Sequence, residues 1–374
     1  MTEQVAVIGT GLIGGSIALG LRSGQPELLV SGYDADPDAL AAAVACGAIG
    51  RPAPSAASAV KGAGLVVVAT PVDAIADVCR DLAGAVSPEA VITDVGSAKR
   101  EAVANGEDVF GDRFVGGHPM AGSERHGVGA ADAGLFDAAW WILTPTSTTS
   151  ADAYSRVARL ASGLGAKPVA VDAVVHDALV ARLSHVPQLT ASALVDVAAA
   201  AGDRDALLEL AGPGFRDVTR IAASSPDLWI AILRSNREAV LEALDGLRGR
   251  LHRIAGMIAQ EHWAELRAFL ESSRRARLGL FAKPEYGGPP VTLSFMVPDR
   301  PGVFAQVTTA AGELGANIED LRVVHSTEGG GGRLELVITG EDRADELTEA
   351  LTILGYRVER SAGSGDMTTS RLSD

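Results

Sequence analysis

Three glycines at 9, 11 and 14, a histidine at 118 and two arginines at 216 and 220 are the residues of this 374-residue chain whose types and spacing could do chemistry. The glycines stand in Gly9-Thr-Gly-Leu-Ile-Gly14, directly after an apolar run, as the Gly-x-Gly-x-x-Gly turn of a dinucleotide-binding unit. Gly9 allows the tight turn, Gly11 lets backbone approach a pyrophosphate, and Gly14 lets the next helix pack close to the strand. The amide groups at that helix start would hold the phosphates. Twenty residues after Gly14 stands Asp34, at the end of a second strand, where an acid bonds the ribose hydroxyls. Asp34 and Asp36 would repel a 2′-phosphate, which favours NAD over NADP. Leu12 and Ile13 in the turn, with Thr70 and Pro71 after a third strand, complete the expected cofactor set.

His118 lies in Gly116-Gly-His-Pro-Met-Ala-Gly-Ser-Glu124, at the end of a predicted strand. Ligands of open α/β sheets bind outside the carboxyl ends of the strands, so His118 is placed beside a bound nicotinamide. General acid/base work follows, and an unperturbed pKa of about 6.5 suits it. Ser97, in Asp94-Val-Gly-Ser-Ala-Lys99, either bonds a substrate hydroxyl or caps a helix, and Lys99 either holds a charge or starts that helix. In Gly212-Pro-Gly-Phe-Arg-Asp-Val-Thr-Arg220 the two arginines are four apart, on one face of a helix. Paired guanidiniums fit a carboxylate, unless Asp217 between them forms an internal pair. His176 and His185 are nine residues apart, about 900° or half a turn out of phase on one straight helix, so both cannot face one site. His185 precedes Pro187 and is expected to face the site; His176 is expected on a surface, packing or subunit contact.

Elements to position these residues can be read from the same chain. Strands are predicted over 5–9, 28–33, 65–70, 90–95, 114–117, 141–144 and 168–171, alternating with helices. That alternation means an α/β domain with a mostly parallel sheet over residues 1–172. Residues 173–282 have apolar positions at helical spacing over 174–201, 205–210, 228–243 and 247–272, an all-helical domain whose spare face implies a dimer. Lys283-Pro-Glu-Tyr-Gly-Gly-Pro-Pro290 is a linker. Strands over 291–297, 318–325, 333–339 and 356–359, with helices over 302–314 and 344–354, give a β-α-β-β-α-β, ferredoxin-like domain over 291–360. The polar residues 361–374 read as a disordered tail.

The net charge of −15 disfavours nucleic acid and anionic membrane surfaces. No apolar run approaches the roughly 18 residues of a membrane span, and the chain enters a strand with no signal peptide before it. Two cysteines without metal-ligand spacing imply neither a disulfide nor a zinc framework, so a reduced, cytoplasmic setting is expected.

Taken together, the GTGLIGGS turn, Asp34, DVGSAK, HPMAGSE, HD followed by SHVPQ, and GPGFRDVTR with Trp229 beyond resemble the prephenate dehydrogenase family, which includes arogenate dehydrogenases. The resemblance runs over about residues 4–280, and its histidine and arginine motifs are more specific than the glycine turn. Residues 297–304 and 315–319 resemble an ACT domain, an amino-acid-sensing module with the same β-α-β-β-α-β order. The resemblance implies a Rossmann-type domain, a helical dimerisation domain and the ACT domain, and oxidative decarboxylation of prephenate to 4-hydroxyphenylpyruvate with NAD, without a metal. It implies that His118 takes up the ring 4-hydroxyl proton and that Ser97 bonds the same hydroxyl. Arg220 would bind a carboxylate with Arg216 beside it, His185 would join the substrate set, and Glu124 would stand at the mouth of the site. Asp299, Gly302 and Asn317 would bind an aromatic amino-acid effector, tyrosine first. Arogenate as substrate is the alternative. A hydroxyacid dehydrogenase with a catalytic lysine on its helical domain is disfavoured, because residues 172–282 contain no lysine. A non-catalytic sensor is disfavoured by the joint presence of His118, Ser97 and Arg220.

Overall fold

The computed structural model describes residues 4–122, 127–200, 211–279, 290–298, 300, 303–316, 318–325 and 332–362. The chain divides into two compact units, Met1–Ile254 and Ala255–Asp374.

Short apolar runs build the sheet of the first unit. Its strands are β1 (Val5–Ile8), β2 (Val30–Tyr33), β3 (Arg51–Pro52), β4 (Leu65–Val68), β5 (Val91–Asp94), β6 (Phe114–Pro119), β7 (Trp140–Thr144) and β8 (Lys167–Ala170). They lie in the order β3-β2-β1-β4-β5-β6-β7-β8. Strands β3 to β6 are parallel, β7 runs antiparallel to β6, and β8 is parallel to β7. Side chains alternate across the pleat. Val5, Val7, Val30 and Val67 therefore enter one core, and Ala6, Ile8, Val66, Val68 and Ile92 enter another. Burial on both faces explains why β1 and β4 read VAVI and LVVV, with no polar alternation. Helices α1 (Leu12–Gly24), α2 (Pro37–Ala45), α3 (Ala56–Ala59), α4 (Ile75–Leu82), α5 (Arg100–Phe110) and α6 (Ala151–Gly163) make the crossovers. Strand order reverses beside β1, so the loops after β1 and β4 flank a crevice.

Helix α7 (Ala173–Val180) continues through a π-helical turn, Ala181–His185, into α8 (Val186–Ala199). There follow α9 (Pro213–Thr219), the 3-10 turn Arg220–Ala223, α10 (Pro226–Ser235), α11 (Arg237–Ala259) and α12 (Trp263–Gly279). The helix expected over 205–210 lies outside the described residues. The continuous helix expected over 247–272 is broken at Glu261, whose φ of 54° is left-handed, while the His262 amide donates back to the Met257 carbonyl at 2.8 Å.

The second unit holds β9 (Pro290–Val297), α13 (Val303–Glu313), β10 (Ile318–His325), β11 (Gly332–Thr339), α14 (Glu341–Ile353) and β12 (Glu359–Ala362). Its sheet runs β10-β11-β9-β12, every pair antiparallel. The last strand begins later than the 356–359 expected from sequence. Gly355, at φ 93°, ends the helix, and Tyr356 turns into the core against Phe295, ring centroids 5.3 Å apart, before pairing starts at Glu359. Ser361 and Ala362, expected in the tail, are therefore strand residues. No described helix is long and apolar enough to cross a membrane.

Candidate active site at the carboxyl ends of the strands

A cavity of about 980 Å³ opens at the carboxyl ends of β1, β4, β5 and β6. Gly9, Gly11, Leu12, Ile13, Asp34, Thr70 and Pro71 line it, joined by Gly96, Ser97 and His118. Gly9 has φ 94°, and a side chain there would strike the Ala69 carbonyl. Gly14 does not line the cavity; a methyl group on it would run into the Gly9 carbonyl oxygen, so it sets the close approach of α1 to the turn. Gly11, by contrast, faces open space. Asp34 is already oriented by the turn: one carboxylate oxygen accepts from the Thr10 amide at 2.6 Å and hydroxyl at 3.1 Å, the other from the Asp36 amide at 3.0 Å. The buried Thr70 hydroxyl has no partner, a polar atom left over at the cavity wall. A dinucleotide fits these residues.

His118 is held by its neighbour. The Gly117 amide donates to the Asp94 carboxylate at 3.1 Å, and the Lys99 ammonium donates to the Gly117 carbonyl at 2.7 Å. Lys99 and Asp94 are themselves a fully buried ion pair, the carboxylate also accepting from the Gly96 amide at 2.8 Å. Burial lowers the Lys99 pKa against the opposing pull of Asp94. The two sequence roles considered for Lys99 thus coexist, since it also precedes the first residue of α5.

Beside His118 stands His176, fully buried, with its Nε2 2.8 Å from His118 Nδ1. His176 Nδ1 lies 2.8 Å from the Asp177 carboxylate. That carboxylate also accepts from the Lys99 and Arg100 amides, at 2.7 and 2.9 Å, and so caps α5 from another part of the chain. Burial alone would raise the Asp177 pKa, but the hydrogen bonds from His176 and the two amides bring it below the usual carboxylate value. His185 is buried too; the Asn236 amide nitrogen bridges its Nδ1 at 3.3 Å and the Asp177 carbonyl at 2.9 Å, and Trp229 meets it edge-on at 5.9 Å.

Of the surface, packing or subunit-contact placings expected for His176, its full burial leaves only packing, and the contacts add that its imidazole is bonded to His118. The π-helical turn is the reason. It inserts about one residue into the helical register, so nine residues advance by about 800° instead of about 900°. Both imidazoles then turn towards the same region. His118 also departs from the unperturbed pKa expected of it. Burial pushes it well down, and the nearby His176, Lys99 and His185 add to the fall. Burial likewise takes His185 to about 4, against the pull of Asp177.

Arg216, Arg220 and His185 do not line the cavity. Arg216 is exposed on α9, and Arg220 is exposed on the 3-10 turn that packs against α8, so a helical break separates the expected one-face pair. Glu124, Asp299, Gly302 and Asn317 lie outside the described residues. Asp177 and Asn236 were not singled out from sequence for any role. An acid directly after His176 was the available signal for the first; nothing local marks the second. Leu228 and Ile232 of α10, also unforeseen, supply apolar wall to the cavity.

Residues 17–170 match the nucleotide-binding domain of prephenate dehydrogenase, residues 172–272 its dimerization domain, and residues 291–355 the ACT domain. Prephenate dehydrogenase of Bacillus subtilis (strain 168) is 34% identical over 358 residues, covering 94% of this chain and 96% of its own. The crystal structure of prephenate dehydrogenase from A. aeolicus, in complex with hydroxyphenyl propionate and NAD+, is 31% identical with a TM-score of 0.71, covering 75% of this chain and 99% of that one. Synechocystis arogenate dehydrogenase is 28% identical with a TM-score of 0.66, over 74% of this chain and 99% of that one.

Proposed function

The chain belongs to the prephenate dehydrogenase family, and on that premise we propose that it converts prephenate to 4-hydroxyphenylpyruvate by NAD-dependent oxidative decarboxylation. The observation that carries the reading is the meeting of Ser97 and His118 at the wall of a cavity begun by the glycine turn. Gly9, Gly11, Leu12, Ile13, Asp34, Thr70 and Pro71 would hold NAD there, with Gly14 keeping α1 close. When bound, NAD supplies a two-electron acceptor for the hydride leaving C4 of the ring.

This chain's own residues handle the proton and the charges. His118, uncharged because of its burial, accepts the proton of the 4-hydroxyl as C4 is oxidised. Ser97 bonds the same oxygen and keeps it in line with the imidazole. Loss of carbon dioxide from C1 makes the ring aromatic, which drives the reaction forward. Arg220, with Arg216 near it, binds a substrate carboxylate, and His185 and Glu124 join the proposed substrate set. The ACT domain senses an aromatic amino acid, tyrosine first, through Asp299, Gly302 and Asn317. The helical segment pairs two copies, using faces that leave Val174, Val175, Leu183 and Leu251 exposed. A cytoplasmic setting accords with free Cys46 and Cys79.

The test follows formation of reduced nicotinamide with prephenate and with arogenate, each with NAD and with NADP, in the wild type and in His118→Asn. Turnover of prephenate with NAD, falling about 10²–10⁴-fold in the variant, is the expected result. Turnover of arogenate alone would keep the site and overturn the substrate. Near-full kcat in His118→Asn would remove the base assignment.

A further inference from the structure

We propose that His176 and Asp177 form with His118 a hydrogen-bonded relay that fixes His118 as its Nδ1–H tautomer and leaves Nε2 as the proton acceptor. The inference rests on the reading of His118 as the base, and adds two positioning residues to it.

Two contacts of 2.8 Å each fix where the protons lie. The Asp177 carboxylate can only accept, and it already takes two backbone amides, so His176 Nδ1 must carry the hydrogen between them. In its neutral form His176 then has only a lone pair at Nε2. The atom facing that lone pair, His118 Nδ1, must be the donor. One proton on Nδ1 of neutral His118 means none on Nε2, the nitrogen free to meet a substrate hydroxyl. The inner link is enclosed, since His176 is fully buried and Asp177 is 4% exposed, so water does not scramble the order there, while half-buried His118 keeps its other edge towards the cavity.

As hydride leaves C4 with its bonding pair, the electron pair of the breaking O–H bond closes the C4 carbonyl and the proton bonds to His118 Nε2; loss of carbon dioxide from C1 then returns electrons through the ring to that oxygen, which takes the proton back to give the phenol. The imidazolium so formed lies within the field of the Lys99 ammonium, which disfavours a second cation nearby. Its Nδ1–H points through His176 to the one anion in the chain of contacts, Asp177, which disperses that charge. Asp177 is held in place by the first amides of α5, whose N-terminal dipole favours an anion. The helix that follows Ser97 and the base at His118 are thereby tied to one carboxylate.

Nitrogen-15 spectra of histidine-labelled protein, with His118 assigned by its loss in His118→Asn, read the tautomer without turnover. The expected result is a protonated Nδ1 and an unprotonated Nε2 in the wild type. A protonated Nε2 would overturn the relay even if prephenate is turned over. The expected spectrum without turnover of prephenate would sustain the relay and sink the substrate reading. Variants give a second readout. His176→Gln keeps an acceptor for His118 Nδ1–H and should retain kcat within about tenfold, whereas His176→Leu should lose about 10²-fold or more, with NADH affinity unchanged in both. Equal losses in Gln and Leu variants would mean that His176 only fills space.

Discussion

His185 is a buried base whose environment makes it a pH-sensitive part of the fold. Its pKa is lowered from 6.5 to about 4, chiefly by burial, so the unfolded chain binds a proton in that interval that the folded chain refuses. Stability is therefore full above about pH 6.5 and declines as pH falls towards 4, by about 3 kcal/mol for this residue. His118 acts in the same direction. Thermal melts between pH 7 and pH 4 should show Tm falling, with a shallower fall in His185→Gln; an unchanged slope would sink the assignment. That a histidine at 118 ends a strand on the crevice was legible from its motif. That its pKa is depressed was not, because the desolvation and the electrostatic neighbours come from residues 99, 176 and 185.

Elements decide what each glycine is for. Gly11 faces open space and has an ordinary φ of −69°, so an added methyl leaves the fold alone and projects where a pyrophosphate would approach. Gly14 is the opposite case, since its methyl would collide with the Gly9 carbonyl and push α1 off the turn. Gly11→Ala should keep Tm within about 2 °C while weakening NADH binding about tenfold or more; Gly14→Ala should lower both Tm and binding. Fluorescence titration beside calorimetry checks the contrast, and equal Tm losses would contradict it. The turn itself was legible because strand, glycines and helix are adjacent in the chain. The π-helical turn at Ala181–His185 was not, and a straight helix misplaces the phase of His176 against His185. A one-residue insertion leaves no mark in apolar periodicity, so the straight-helix geometry was the natural but incorrect reading.

The whole chain carries more than the catalytic part. Residues 291–355 match the ACT domain, apart from the nucleotide-binding and dimerization matches over 17–170 and 172–272. A chain ending at residue 282 should retain prephenate turnover within about threefold and lose inhibition by tyrosine. Full-length protein inhibited by tyrosine and a truncated form inhibited equally would place the effector elsewhere. Expected dimers of the 38.3 kDa chain should persist on truncation, as read by sedimentation, because the exposed apolar residues Leu251 and Leu270 lie before the cut.

Residue order alone settled the architecture, the dinucleotide turn with its acid at 34, and the strand end that bears His118. Each of these is written in neighbouring residues, where periodicity and spacing translate directly into backbone. The partnership of His118 with His176, 58 positions away, needed the folded chain, as did the capping of α5 by Asp177 and the buried Lys99–Asp94 pair beneath Gly117. Those contacts depend on sheet register, on one extra residue in a helical turn and on the exclusion of water. None of the three is a local property, so only the tertiary structure could decide which imidazole His118 would be bonded to.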